Sequence, residues 1–296
     1  MKKINNIFLK KKILIYGLGK SGISTYNFLR QKAKVNLFDD NPKNNFRFDK
    51  KNLSFAKILQ SFFDFIIISP GIDVSKCKLS KYLKQNSFKV YTDLDVFCTF
   101  FSNDSVTITG TNGKSTTAKL LYDVLSDQKK DARLVGNIGN PILSEKKITK
   151  KTFFVIEASS YQLEYSKIFK SKYSVILNIT PDHIERHKSF KNYINAKFRL
   201  IDSQSTKSVV FVKRNDPVIV KKLRSKKYKQ KIIKIDTSLQ PPIFKKIRNT
   251  YFMSSGNREN LIFVLKICKI LKLNEEKILR TINKFKGLKY RQQIIF

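Results

Sequence analysis

Residues 108 to 117 read ITGTNGKSTT, and their types and spacing suit the binding of a phosphate compound. Gly110 and Gly113 let backbone amides turn toward an anion, and a helix starting just after them would present its positive N-terminal end to the same place. Lys114 supplies a mobile charge for outer phosphates, and Ser115 or Thr116 offers a hydroxyl to a magnesium ion. The common spacing GxxxxGK[ST] calls for glycine at position 108, where this chain has Ile108, so the loop is a shorter relative of that motif. A plain glycine turn with an incidental lysine would leave unexplained the strand-like SVTITG before it and the helix-like AKLLYDVL after it.

A second glycine loop, GLGKSG, places Gly17, Gly19 and Gly22 after the apolar run KKILIY, and Asp39 stands twenty residues beyond Gly19 at the end of the next run. That is the dinucleotide fingerprint, in which the acidic residue would hold a ribose hydroxyl. Alone it suggests a nicotinamide dehydrogenase, but a separate phosphate loop further along implies two phosphate compounds, one per domain. Polar residues also stand where strands end, the usual place for active sites in open α/β sheets. TFFVIE delivers Glu157, and SVILNIT delivers Asp182 and His183, the latter one of only 2 histidines. A carboxylate and an imidazole beside Ser115 could complete a magnesium site, although imidazole is a less usual magnesium ligand than oxygen.

GTNGKST, GNIGNP, EASSYQLE, NITPDHIERH, NAKFRL and GLKYR occur in an order and spacing that resembles the Mur ligases, ATP-dependent enzymes that build the stem peptide of peptidoglycan. The likeness covers essentially the whole chain. Within the family, GLGKSG, SPGI at 69 to 72 and EASSYQLE look like the members that add D-glutamate to UDP-N-acetylmuramoyl-L-alanine. The resemblance implies that Gly110, Thr111, Asn112, Gly113, Lys114, Ser115 and Thr116 hold the outer phosphates of ATP. It implies that ATP phosphorylates the substrate's terminal carboxylate, and that the resulting acyl phosphate is attacked by the amine of D-glutamate. Ser115 and Glu157 would bind one Mg2+ and His183 would help place a second, with Lys114, Glu157, His183 and Lys197 as the catalytic set. Lys197, in NAKFRL, matches a lysine that the family carbamylates, which would turn a cation into an anionic oxygen ligand.

The same resemblance assigns Gly19, Lys20, Ser21, Asp39, Asp40, Pro70 and Gly71 to the uridine diphosphate end of the substrate and Asn137 and Ser159 to its muramoyl part, with His183 also among the substrate-binding residues. Asn257, Asn260 and Arg291 match positions near the adenine and phosphates of ATP. Two positions depart from the family pattern: Gly256 stands where histidine is usual, and Gln293 where an acidic residue often follows the arginine. The family also carries a third domain that binds the incoming amino acid, and this sequence ends about where that domain would begin. A fragment, half of a split enzyme or a decayed copy with impaired ligation is therefore expected.

The elements that must position these residues fall into two α/β blocks. KKILIYG, KVNLFDD, FDFIIISPG and FKVYTD alternate with helix-like segments over residues 11 to 101, as parallel βαβ units do. SVTITG, TFFVIEA, YSVILNIT and SVVFVKR follow, with ENLIFVLKICKILKL as a helix apolar on one face. The expected architecture is a Rossmann-like parallel-sheet domain over 1–102 and a larger P-loop-type α/β ATPase domain over 103–296, the boundary resting on the polar cluster SND.

Composition fits a globular protein: 296 residues, 41% hydrophobic, with 24 Phe. No apolar run reaches the roughly 18 residues of a membrane span, and the basic start MKKINNIFLKKK leads into no signal-type stretch, so a cytoplasmic enzyme without membrane contact is expected, and separately a monomer. Cys77, Cys98 and Cys268 form no CxxC pair, which argues against a disulfide framework or zinc site. The formal charge of +38 would attract polyanions, and KKLRSKKYKQKIIK at 221 to 234 is its densest run. Lysine is otherwise spread along the chain and no nucleic-acid module is present, so nucleic acid is not the expected main partner. A polyanion-binding remnant would use only the charge, and a dehydrogenase only GLGKSG and Asp39.

Overall fold

The computed structural model describes residues 6–45 and 51–288, which pack into two compact units. In unit 1, strands β1 (Lys12–Tyr16), β2 (Lys34–Phe38), β3 (Phe65–Ile68) and β4 (Val90–Tyr91) form a parallel sheet in the order β2-β1-β3-β4. KILIY and FIII are nearly continuous apolar runs, as strands covered on both faces must be. The glycine loop after β1 is a tight strand-to-helix turn. Gly17 has φ 94°, and a Cβ on Gly22 would overlap the Gly17 carbonyl oxygen, so the helix Lys20–Leu29 can start only where that side chain is absent.

In unit 2, β5 (Ser105–Thr109), β6 (Ala132–Gly136), β7 (Phe153–Glu157), β8 (Tyr173–Ile176), β9 (Val209–Lys213) and β10 (Lys231–Ile235) form a second all-parallel sheet, ordered β10-β9-β8-β5-β7-β6. Successive residues of a strand point to opposite faces, so each face has its own core. Val175 and Phe211 join Leu121 of helix Lys114–Asp127 and Phe263 of helix Ser255–Ile270 on one side. Ile176, Val210 and Val212 join Phe198 and Ile201 of helix Phe190–Asp202 on the other. The central strand β5 is buried along its whole length.

Two strands escaped the sequence reading. β6 is the short ARLVG, and β10 lies at the end of the basic run 221 to 234, where KIIKI pairs only with β9 and leaves its lysines on the sheet edge. The division of the chain also differs from a single cut near 102 to 104. Residues Asn140–Lys147 and Ser160–Lys170 belong to unit 1, and unit 2 takes Asn103–Gly139, Ile148–Ser159 and the chain from Ser171 on. Asp95 explains the second of these segments. One of its carboxylate oxygens accepts from the Ser166 hydroxyl and from the amides of Lys167, Ile168 and Phe169, at 2.8 to 3.0 Å. The other accepts from the Thr92 amide and hydroxyl. A buried carboxylate satisfied by six donors is a strong tie between distant stretches of chain.

Its neighbour Asp93 is buried too, at 4% exposure, with an oxygen 3.0 Å from the Leu94 amide and a hydrogen bond to Ser21 of the glycine loop. Burial pushes this carboxyl up to about 6, and the Asp95 charge adds to the effect. Because the folded state holds the proton more tightly than the unfolded one, the stabilisation is complete below pH 3.8 and is lost as pH rises through about 6. Asp93→Asn, which keeps an acceptor but no charge, is expected to flatten the stability profile across that window in urea unfolding from pH 4 to 8. At neutral pH it should be more stable than the parent by on the order of 2–3 kcal/mol. Parallel profiles for the two proteins would refute the assignment.

Candidate functional site

The phosphate loop sits between β5 and helix Lys114–Asp127, at the carboxyl end of the central strand. Its last turn needs glycine. Gly113 has φ 81°, and a Cβ there would overlap the side-chain oxygen of Asn260, which packs against the loop from helix Ser255–Ile270. The chain after β8 clamps the loop from the other side. The Asn178 carbonyl accepts from the Thr111 amide at 3.0 Å, and its side-chain oxygen accepts from the Asn112 amide at 2.9 Å. The Thr111 hydroxyl meets the Thr180 amide at 3.0 Å and the Tyr193 hydroxyl at 3.1 Å.

Two lysines converge inside this frame. Lys114 donates to the carbonyls of Gly110 and Thr111 at 3.0 and 2.8 Å, and Lys197 donates to the same Gly110 carbonyl at 2.7 Å. Lys197 is 1% exposed, with its nitrogen 4.5 Å from the centre of the Tyr193 ring. Burial holds its amine far below the ordinary lysine range, and the Lys114 cation pushes it further down, against the pull of Asp182 and Glu157. The amine is thereby biased toward its neutral, nucleophilic form.

Glu157 ends β7 and is fully buried. One oxygen accepts from the Asn137 side-chain amide at 2.8 Å; the other has no hydrogen-bond partner among the described residues. A buried carboxylate oxygen left open is costly unless a cation or donor completes it. Ser115 is buried at the start of the helix after the loop. Among the described residues no group of three or more His, Cys, Asp or Glu could hold a metal by itself. The donor set that does exist, one hydroxyl and one open carboxylate oxygen beside a phosphate loop, fits Mg2+, which commonly binds through one or two protein oxygens and completes its shell with phosphate and water.

The remaining expected residues are placed unevenly. His183 is 44% exposed, has a left-handed backbone at φ 51°, and lies 3.3 Å from an Asp182 oxygen. His187, absent from the sequence reading, is buried against the edge of the Tyr193 ring, 5.3 Å away; burial, with the Arg186 charge second, lowers its pKa to about 4, so it is neutral at pH 7. Asn137, expected at the muramoyl side, donates its side-chain amide to Glu157, while Ser159 stands two residues beyond Glu157, half-buried. The Asn257 side chain donates to the Tyr251 carbonyl at 3.0 Å, and Thr116 lies 3.4 Å from the Tyr251 hydroxyl. Arg291 lies outside the described residues.

In unit 1 the expected ligand residues stand on loops at the carboxyl ends of β1, β2 and β3. Gly19 and Lys20 are exposed, and Ser21, Pro70 and Asp40 are partly so. Asp39 is held by backbone amides. Its two oxygens accept from the Leu18 and Asn41 amides, at 2.5 and 2.8 Å, so it shapes the glycine loop. Asp40 accepts from the Tyr16 hydroxyl at 2.6 Å. Asn178, Thr180 and Tyr193 were missed as functional residues; the first two stand within NITPDH, and Tyr193 precedes Lys197 by one helical turn, the only sequence signal for it.

The Mur ligase middle domain model matches residues 108–273, and the model of the Mur ligase MurD-like N-terminal domain matches residues 11–90. UDP-N-acetylmuramoylalanine–D-glutamate ligase of Rickettsia bellii is 32% identical over 315 residues, which cover 98% of this chain and 69% of that protein. The ligase of the same name from Fusobacterium nucleatum is 31% identical, covering 97% of this chain and 68% of its own length. Among solved structures, the UDP-N-acetylmuramate:L-alanyl-gamma-D-glutamyl-meso-diaminopimelate ligase of Neisseria meningitides shares the fold at a TM-score of 0.59 and 13% identity, covering 95% of this chain and 99% of that one. Two matched family models in tandem, and a relative aligned over nearly the whole chain, place this protein in the Mur ligase family, the ATP-dependent ligases that form amide bonds.

Proposed function

We propose that the chain serves the ATP-dependent joining of D-glutamate to UDP-N-acetylmuramoyl-L-alanine in peptidoglycan precursor synthesis. The observation that carries this reading is the meeting of Lys114 and buried Lys197 at the Gly110 carbonyl, in a unit that also holds the open oxygen of Glu157. Together these groups suit a reaction in which negative charge is moved and must be neutralised. The relatives named as D-glutamate ligases support the choice of substrate.

In this reading Lys114 releases the loop carbonyls and turns to the outer phosphates of ATP, and the loop amides hold the phosphate oxygens. The Ser115 hydroxyl and the open Glu157 oxygen would hold Mg2+, which would neutralise phosphate charge when bound. A carboxylate oxygen of the substrate bonds to the γ-phosphorus as the bond to ADP breaks. The amine of D-glutamate then attacks the carbonyl carbon, phosphate leaves, and the amine loses its extra proton as the amide forms. The neutral Lys197 amine adds carbon dioxide, forming an N–C bond and losing a proton, and the carbamate supplies an anionic oxygen toward the site. His183, on its exposed turn, orients the substrate side. The loops after β1, β2 and β3 hold the uridine diphosphate.

Calorimetric titration of the purified chain with UDP-N-acetylmuramoyl-L-alanine tests the substrate reading, with UDP-N-acetylglucosamine and NADH as controls. Selective binding of the muramoyl-alanine compound is expected, and equal or absent binding by a folded chain would remove it. Gly113→Ala must accept both a left-handed backbone and a clash with Asn260, so it should lose on the order of 2–4 kcal/mol of stability and most of its ATP affinity. Parent-like urea unfolding and ATP titration would contradict the loop geometry. Carbon-13 NMR under labelled carbon dioxide should show a carbamate signal that Lys197→Ala abolishes; a parent spectrum without that signal would rule out the modification.

A further inference from the structure

Nine large apolar side chains are exposed among the described residues, and five of them stand at one edge of one sheet. Ile7 and Leu9 precede β1, Leu59 and Phe62 precede β3, and Phe88 precedes β4. Because all four strands of unit 1 are parallel, these positions share the amino-terminal edge of the sheet. The packing beneath agrees with this. Phe8 is fully buried, with its ring 4.8 Å from Phe65 and 5.6 Å from Tyr91, so its neighbours Ile7 and Leu9 lie over the start of β3 and β4. Phe62 and Phe88 are each 66% exposed, and the Lys89 ammonium lies 4.0 Å from one ring centre and 5.5 Å from the other. Phe55 continues the strip one helical turn back from Leu59.

The same edge is basic. Lys10, Lys11 and Lys34 are exposed at the starts of β1 and β2, with Lys57 and Lys84 near the Phe62 and Phe88 ends. Asp64 also lies there, and it accepts from the Lys12 amide at 2.8 Å. The loops that carry Gly19, Asp40 and Pro70 are at the opposite, carboxyl edge, roughly 13–17 Å away along strands of four or five residues. A partner on the amino-terminal edge would leave those loops uncovered.

We propose that this edge docks on the surface of an anionic lipid bilayer, with Phe62, Phe88, Leu59, Ile7 and Leu9 entering the interfacial region and the lysines meeting acidic headgroups. Apolar side chains interleaved with lysine are the pattern of a peripheral membrane contact, and basic residues near such a surface add attraction that salt screens. Charge selects this occupant over a second copy of the chain, since two bodies each carrying a formal +38 repel. It also fits lipid better than single-stranded nucleic acid. Bases stack on open ring faces, and the Lys89 ammonium sits over Phe62, while Ile7, Leu9 and Leu59 offer no ring at all. The lack of any helix long and apolar enough to span a bilayer, among the described residues, does not bear on such a contact. The expectation of no membrane contact rested on that lack.

Co-sedimentation of the full chain with vesicles tests the proposal, using phosphatidylglycerol and phosphatidylcholine in equal parts against phosphatidylcholine alone. The chain should pellet with the acidic vesicles and not with the neutral ones. F62S/F88S, unchanged in net charge, should bind at least about tenfold more weakly while keeping its thermal midpoint and its ATP titration. K11E/K34E is a second variant that should lose binding without touching an apolar residue. Absence of pelleting with acidic vesicles would overturn the proposal. Equal pelleting of the parent and F62S/F88S would do the same, because charge alone would then suffice. So would a parent that sediments as a dimer where F62S/F88S is a monomer, or that binds single-stranded DNA through the same two rings in preference to vesicles.

Discussion

The hydrogen bond from the Lys197 amine to the Gly110 carbonyl is the point from which the phosphate-loop unit can be understood. A lysine nitrogen so deeply buried cannot keep its charge cheaply, and with the Lys114 ammonium on the same carbonyl the two cations oppose each other. The conflict has two resolutions: the amine becomes neutral, or an anion arrives. Both serve the reaction assigned to the family. A neutral amine can be modified to an anionic oxygen ligand, and an anion in the loop would draw Lys114 away from the carbonyls it now touches. The loop around the pair is accordingly stiff. Gly113 turns against Asn260, Asn178 holds two of its amides, and Tyr193 joins its hydroxyl to Thr111 while its ring lies beside Lys197. Binding energy is then not spent on ordering the loop.

Glu157 is the complementary case. It lies at the end of a buried strand with one oxygen satisfied by Asn137 and the other open. Asn137 is itself placed by geometry: its amide donates to the Glu157 carbonyl at 2.9 Å, and the preceding Gly136 leaves no room for a Cβ against that same carbonyl. The loop after β6 therefore fixes the carboxylate twice, through main chain and side chain. Such preorganisation is what a metal-binding oxygen would need.

Much of this was legible before any coordinates. Nearly continuous apolar runs such as KILIY and FFVIE pointed to buried parallel strands once helix-like segments alternated with them, and polar residues stood at their ends. Gly110 and Lys114 were named from the loop motif, Glu157 from its place at a strand end, and Lys197 only through the family resemblance. What escaped notice was of another kind. The clamp from Asn178 joins its carbonyl and its side-chain amide to main-chain groups of Thr111 and Asn112, and main-chain partners carry no residue signature. β10 was hidden because lysines at an edge strand look like a charged loop. The return of residues 160–170 to unit 1 depends on Asp95 meeting amides more than seventy positions away, and no local pattern encodes that distance.

The basic composition has the same lesson in reverse. Read along the chain, the lysines were too evenly spread to mark a surface, and the densest run became a helix and an edge strand. Read on the fold, the informative residues are the few apolar ones among them, because a soluble surface scatters phenylalanine singly and this one gathers it where the strands begin. A parallel sheet makes its two edges chemically unequal. Loops at the carboxyl edge receive helix N-termini and glycine turns and so take up anionic ligands, whereas the amino edge is spared that duty and is free to evolve a contact. In unit 1 the division is visible in the residues themselves: glycine, aspartate and serine at one end of the strands, phenylalanine, leucine and lysine at the other.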